Sequence, residues 1–196
     1  MPIRLLLCCL FAVPTVAIAD AGEGQFMGYQ LGTQYPASPQ EVELTTTGNL
    51  LITAENPTKP ADIIQVSLIA TPASRTIGYI IAASWFATER EARDFGSRYV
   101  ELLRAKYPAW DFGQEKMDEN FDLVEVNFNK APHNIKLSLA RDERDGHSMW
   151  RISIGLGWDR ESQKWDAWQD QAATEHAATR ASEHEQLLDK SDIRGL

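Results

Sequence analysis

The residues of this chain that could do chemistry do not form a familiar catalytic pattern. The sequence lacks Gly-Xaa-Ser-Xaa-Gly, the usual setting of a nucleophilic serine, and its two cysteines, Cys8 and Cys9, lie near the N-terminus. Asp94-Phe95-Gly96 spells the metal-binding triplet of protein kinases, but it falls inside a predicted helix with no catalytic loop before it. We therefore predict no catalytic residue. The sequence leaves enzymatic activity open and favours a non-enzymatic role.

The histidines and carboxylates are also poor candidates for a metal centre. His176 and His184 are separated by about 12 Å along one predicted helix, too far for both to bind one zinc ion at about 2 Å. His147 lies near Asp142 and Asp145, but aspartate is common in turns for conformational reasons alone. We predict no metal site and no cofactor.

A carboxylate pair of the glycosidase type cannot be recognised by counting. The chain holds 28 acidic residues, so pairs of them arise by chance. A glycosidase needs one carboxyl group with a raised pKa beside an ionised one. Glu125 lies between Val124 and Val126, which we expect to point into the core, so the Glu125 side chain should face outward and is a poor candidate.

Aromatic residues are the enriched feature of this sequence, which contains six tryptophans. Exposed aromatic rings stack on sugars and dominate protein interfaces. Trp110 follows a predicted helix end and is the tryptophan that we expect to be most exposed. The candidate interaction surface is Trp110, Phe112, Trp165 and Trp168. The alternative is that these rings attach the last helix to the sheet.

The first 19 residues resemble a cleavable secretory signal peptide. Arg4 supplies a positive charge, an apolar stretch follows, and Ala17-Ile18-Ala19 places small residues where signal peptidase reads them. The apolar stretch is shorter than the roughly 20 residues of a membrane-spanning helix. We therefore predict cleavage after residue 19, a periplasmic or secreted location without membrane insertion, and a mature chain that has no cysteine.

The remaining sequence predicts an α+β fold, with an antiparallel sheet of about six or seven strands and two helices packed on it. Thr88 and Glu91 form a capping box that opens a helix ending near residue 107. Gly48-Asn49 and Asp145-Gly146 predict hairpin turns. The expected buried stripe of the first helix is Ala92, Phe95, Tyr99, Leu102 and Leu103. Apolar alternation predicts strands near residues 42–46, 50–53, 62–70, 121–128, 134–141 and 149–158. Residues 77–86 are apolar on both faces, which predicts a central strand covered on both sides.

A faint internal repeat suggests how these elements are organised. Residues 64–68 resemble residues 135–139, and in each case a second strand and then a helix follow. This pattern indicates two β-β-α units that share one sheet, with chance similarity as the alternative. We predict one domain over residues 20–180, a final helix over residues 159–188, and a polar helical or frayed tail over residues 181–196.

The net charge of the chain narrows the classes of molecule that it is expected to bind. The net charge of −9 disfavours nucleic acid and would steer the protein toward a basic partner. We expect an exported, soluble, non-enzymatic envelope protein that binds another protein, of the inhibitor, immunity or assembly-accessory type. The alternative function is a glycan- or peptidoglycan-binding protein, or a hydrolase of such material.

Overall fold

A large antiparallel sheet organises the computed structural model, which describes residues 24–35, 42–54, 62–115 and 124–192. The predicted signal peptide lies outside the described residues. The helices are α1 (Glu89–Lys106) and α2 (Gln163–Asp192). The strands are β1 (Gln25–Phe26), β2 (Tyr29–Gln30), β3 (Val42–Leu44), β4 (Leu50–Ala54), β5 (Gln65–Ala70), β6 (Ile77–Phe86), β7 (Asp111–Glu115), β8 (Val124–Lys130), β9 (His133–Arg144) and β10 (His147–Trp158).

The large sheet has eight strands in the order β3-β4-β5-β6-β10-β9-β8-β7, and β1 and β2 form a separate hairpin. Each half of the large sheet is a four-stranded meander followed by a helix, and the two last strands, β6 and β10, pair at the centre. The predicted α+β class is confirmed. The repeat is also present, but each unit contains four strands rather than two, because the short strands β3 and β7 and their neighbours extend both edges.

Local sequence signals account for α1. The Thr88 hydroxyl accepts a hydrogen bond from the Glu91 backbone, and the Glu91 carboxylate accepts one from the Thr88 backbone, as the capping box predicts. The buried residues are Ala92, Phe95, Gly96, Tyr99 and Leu103. The prediction for Leu102 was wrong: this side chain is 40% exposed, because Gly96 rather than Leu102 continues the contact surface of the helix.

Glycines and an aspartate make the two predicted hairpin turns. Gly48 has a φ of +82° in the turn between β3 and β4. Asp145 and Gly146 both have positive φ in the turn between β9 and β10. Consecutive positive φ angles match the right-handed twist of hairpin strands, and glycine and aspartate adopt them at low cost.

Both helices lie on the same face of the sheet, which we call the helix face. Gly96 of α1 approaches the side chains of Ile152 and Leu137 on β10 and β9. The Trp168 ring of α2 lies on Gly78 of β6, where any Cβ atom would collide with it. Each helix therefore packs on strands of the other half: α1 follows β6 and contacts β9 and β10, whereas α2 follows β10 and packs on β6.

The last helix begins later than the composition suggested and projects further. Ser162 accepts a hydrogen bond from the Trp165 backbone at 3.2 Å, so the helix begins after this capping residue. Trp168 and Ala172 are buried, whereas every side chain of residues 177–186 is exposed. Because the helix continues to Asp192, its second half extends away from the described core.

Candidate functional site

The face of the sheet opposite α1 and α2 is the main candidate site, and we call it the open face. Side chains alternate between the two faces of a strand. Because Ile152 of β10 points toward α1, its neighbours Arg151 and Ser153 point to the open face, together with their partners across the ladder. The β1-β2 hairpin also lies on the helix side, since Gly24 contacts His133 there. No described element covers the open face.

Large apolar and aromatic side chains on the open face are interspersed with small ones. The large residues are Leu51, Ile69, Tyr79, Ile81 and Trp85, all partly exposed. The small residues are Ser67, Ala83, Ser138, Ala140, Ser153, Gly155 and Gly157. The small residues leave space beside the large ones, so that a large side chain such as Tyr79 can lie over its small neighbours.

Tyr79 is held flat against β10 at one end of this face. Its ring lies over Gly155 and Gly157, and a Cβ atom on either glycine would collide with the ring. Burial, with a smaller contribution from the Glu125 carboxylate, raises the pKa of the Tyr79 hydroxyl to about 12. The hydroxyl is therefore neutral at physiological pH, and it can donate or accept a hydrogen bond.

Trp85 and three charged residues form a second cluster at the opposite end of the open face. The Trp85 indole N–H donates to the Asp142 carboxylate at 3.0 Å, and Arg151 donates to the same oxygen at 3.1 Å. The Arg144 guanidinium lies 4.2 Å above the Trp85 ring, a cation–π distance. These contacts fix the orientation of the indole ring before any partner arrives. We call these four residues the Trp85 cluster.

Glu125 lies on the open face, as the sequence predicted, but its side chain is only 12% exposed. It forms an ion pair with Lys136 on β9 and accepts a long hydrogen bond from Asn127 at 3.5 Å. The Glu125 carboxylate is therefore already engaged by two side chains of the sheet itself.

A concavity lies on the helix face, between α1 and strands β8, β9 and β10. It has a volume of about 330 Å³, near the lower limit for small-molecule pockets. Its floor contains Val126, Leu137 and Leu139, each less than 7% exposed. Because these side chains are already shielded from water, a ligand placed here would bury little additional apolar surface.

The four residues of the predicted interaction surface do not form one surface. Trp110 is only 8% exposed and packs against Tyr107, so the expectation that it is the most exposed tryptophan was wrong. Phe112 is 39% exposed on the edge strand β7, below the Arg104 guanidinium. Trp165 and Trp168 lie on α2, near β6. Since β7 and β6 are four strand spacings apart, about 19 Å separates the two groups.

The two tryptophans of α2 have an internal role. Trp168 is 5% exposed, and its indole N–H donates to the Thr76 carbonyl at 3.0 Å. Trp165 lies against it, with ring centroids 5.6 Å apart. These rings attach α2 to the sheet, which was the alternative interpretation of the aromatic enrichment.

Histidines and acids in the described ranges do not gather into a metal site. No group of three or more metal-ligating side chains occurs there. His147 is exposed in the β9-β10 turn, while Asp142 is engaged with Trp85 and Arg151. His176 instead lies against Gly48 in the β3-β4 turn. Within the same ranges, no helix is both long and apolar enough to cross a membrane.

Sequence reasoning did not find the open face, although part of the signal was present. Strand β6 is apolar at almost every position, which suggested a strand covered on both sides. The informative pattern is on the neighbouring strands β9 and β10, where polar residues alternate with apolar ones. These polar residues are Lys136, Ser138, Arg151 and Ser153. Such alternation is typical of antiparallel strands with one face packed and the other solvated.

Comparison with known proteins does not provide a function for this chain. No protein-family model, no curated protein and no solved structure matches it.

Proposed function

We propose that this protein is an exported, non-enzymatic binding protein that uses the open face of its sheet to bind another protein of the cell envelope. The observation that carries the proposal is the distribution of elements. Among the described residues, both helices and the N-terminal hairpin pack on one face. The other face keeps partly exposed aromatic and branched residues at its centre.

The chemistry of the open face supports a protein as the ligand. Tryptophan, tyrosine and arginine are the residue types most enriched among interface hot spots. The open face presents all three, as Trp85, Tyr79, Arg144 and Arg151. The Trp85 cluster is held by hydrogen bonds and stacking, so little side-chain entropy remains to be lost when a partner binds.

The net charge and the signal-like residues 1–19 support the proposed charge of the partner and its proposed location. The chain carries a net charge of −9, which attracts a basic partner at long range and raises the association rate more than the affinity. Residues 1–19 have the features of a secretory signal, which supports a partner outside the cytosol. Glycan binding receives less support, because Trp110 and Trp168 are buried.

The test is site-specific photo-cross-linking in the cells that produce the protein. A photoreactive phenylalanine analogue replaces Ile81, at the centre of the open face, or Arg90, which is 91% exposed on α1. We expect a discrete cross-linked protein with the probe at residue 81 and none at residue 90. Trp85→Ala should weaken binding of the recovered partner by at least about 30-fold, as loss of a hot spot does.

Leu102→Ala is the matched control for that measurement, since Leu102 is an exposed apolar residue on the opposite side of the sheet. It should leave the affinity unchanged. Equal cross-linking at both probe positions, or no cross-linking at residue 81, would contradict the proposal. Binding of peptidoglycan fragments that disappears in Trp85→Ala would instead support glycan recognition.

A further inference from the structure

Arg144, at the end of β9, is a cation of the open face to which no described residue offers a hydrogen-bonded anion. Its guanidinium lies 4.2 Å above the Trp85 ring, and its Nη1 atom is buried without a hydrogen-bond partner. The carboxylate that the structure pairs with it is Asp145, 3.8 Å from Nε and 89% exposed. An ion pair in such an exposed position contributes little, because water screens it.

Asp142, the carboxylate of the Trp85 cluster, is already engaged by other donors. Its Oδ2 atom accepts from the Trp85 indole at 3.0 Å and from Arg151 at 3.1 Å. Its Oδ1 atom accepts from the Glu143 backbone at 2.9 Å. Asp142 therefore balances the charge of Arg151 and not that of Arg144. The Trp85 cluster has an excess of one positive charge, although the whole chain carries −9.

A partner bound at the centre of the open face would also cover Arg144. Ile81 and Trp85 are four residues apart on β6, which corresponds to about 13 Å. A standard interface centred on Ile81 covers about 800 Å² of one protein, a patch about 30 Å across, so it reaches the Trp85 cluster. Because the guanidinium of Arg144 lies over the indole ring, a partner that approaches Trp85 from this side contacts Arg144.

We infer that the partner bound to the open face presents an aspartate or glutamate carboxylate to Arg144. The inference rests on the proposed function, since it identifies the chemical group that meets one part of the same surface. A partner that covers Arg144 removes water from its N–H groups, and a buried charge without a counter-charge strongly disfavours binding. A carboxylate accepts two parallel hydrogen bonds from a guanidinium, so it compensates for the lost water better than a neutral acceptor does.

Arg144 would thereby determine which partners the open face accepts. A protein that places an apolar or basic residue over the Trp85 cluster leaves the guanidinium unpaired and is rejected. The requirement for an acid applies at the contact, whereas the net charge of −9 acts on the whole partner at long range. A partner that is basic overall can therefore carry the acid that meets Arg144. Stacking on Trp85 holds the guanidinium in place before that contact forms.

A carbodiimide cross-linker tests the inference, because it joins an amine directly to a carboxylate in contact with it, with loss of water. Arg144→Lys supplies the amine, and the partner is the protein recovered with the photoreactive probe at residue 81. Mass spectrometry should find a partner peptide joined to residue 144 through an aspartate or glutamate. Arg90→Lys, at a 91% exposed position on α1, is the control and should give no such peptide. A link from residue 144 to Asp145 should form with or without the partner, and shows that the reagent reaches this position.

Charge reversal provides a second measurement on the same partner. Arg144→Glu should weaken binding at least about 30-fold, and a lysine in place of the mapped acid of the partner should restore most of the loss. Arg144→Gln should weaken binding at least about tenfold, whereas Arg90→Glu should leave the affinity unchanged. Thermal unfolding confirms that each variant is folded.

Two results would overturn the inference while leaving the proposed function intact. One is a partner that cross-links at residue 81 but gives no acid-linked peptide at residue 144. The other is a partner that binds Arg144→Glu and Arg144→Gln as tightly as the unsubstituted chain. Absence of any cross-link at residue 81 would overturn the proposed function, and this inference with it.

Discussion

Single residues in this protein act mainly by joining elements that are distant in sequence. Glu175 is an example, since it accepts hydrogen bonds from the backbones of Ala73 and Ser74 and from the Gln171 side chain. Burial of Glu175 opposes ionisation, but these hydrogen bonds outweigh it and lower the pKa of the carboxyl group to about 2. The Glu175 carboxylate therefore links α2 to the turn between β5 and β6.

Glu175→Gln should lower the free energy of unfolding by about 1 kcal/mol at neutral pH. This value is discounted for solvent, because the side chain is only partly buried. A pKa depressed on folding stabilises the protein above the unfolded pKa, near 4.5, and this contribution is lost as the pH falls toward 2. Urea titrations at several pH values should show the difference between the two proteins shrinking over that range.

The exposed carboxylate of Glu183 on the same helix is the matched control. Glu183→Gln should leave the unfolding free energy at neutral pH within about 0.5 kcal/mol of that of the unsubstituted protein. A constant difference between Glu175→Gln and the unsubstituted protein from pH 7 down to pH 2 would show that the hydrogen bonds to Glu175 do not depend on its charge.

At the scale of elements, α1 shows how neighbouring apolar residues differ in their contribution. Leu103 is 1% exposed in the core, whereas Leu102 is 40% exposed, although the two are adjacent and both fit an apolar stripe. The close approach of Gly96 to Ile152 shows which side of α1 faces the sheet. Loss of a buried leucine side chain leaves a cavity, whereas loss of an exposed one does not.

Leu103→Ala should therefore destabilise the protein by about 2–5 kcal/mol, and Leu102→Ala by less than about 0.5 kcal/mol. Chemical denaturation at fixed protein concentration measures both values, with helix content checked by circular dichroism. Similar losses for the two variants would mean that α1 is rotated from the orientation described here.

At the scale of the whole molecule, the two repeat units are interlocked. Helix α1 follows the first meander and packs on strands of the second, and α2 follows the second meander and packs on the first. The central ladder between β6 and β10 joins the same two halves over eight residue pairs. Neither unit encloses its own core, so we expect the halves to unfold together.

Trp168→Ala should lower the unfolding free energy by about 3–5 kcal/mol, and it should shift one cooperative transition rather than split it. The reason is that the Trp168 ring lies on Gly78 and so connects α2 of one half to β6 of the other. Near- and far-ultraviolet circular dichroism should give coincident melting curves. Trp165→Ala, at a partly exposed position, is the control and should cost less. Two separate transitions would contradict the interlocked arrangement.

Local patterns in the sequence were sufficient for most of the elements and for much of their internal chemistry, although strand β7 was not predicted. The capping box at Thr88, the turns at Gly48 and Asp145-Gly146, and the alternation along β9 depend on interactions within a few residues. The resemblance between residues 64–68 and 135–139 identified equivalent strands, β5 and β9, of the two halves. Short-range geometry dictates these features whatever the rest of the chain does.

Only the tertiary structure decided which face of the sheet is covered, and with it the candidate site. Trp110 follows a helix end and could have been exposed, but its packing on Tyr107 buries it. Trp85 is the centre of a cluster because Asp142 on β9 and Arg151 on β10 lie beside it. Pairing between distant strands and the crossing of the helices depend on contacts that no local pattern specifies, because burial is a property of the assembled layers.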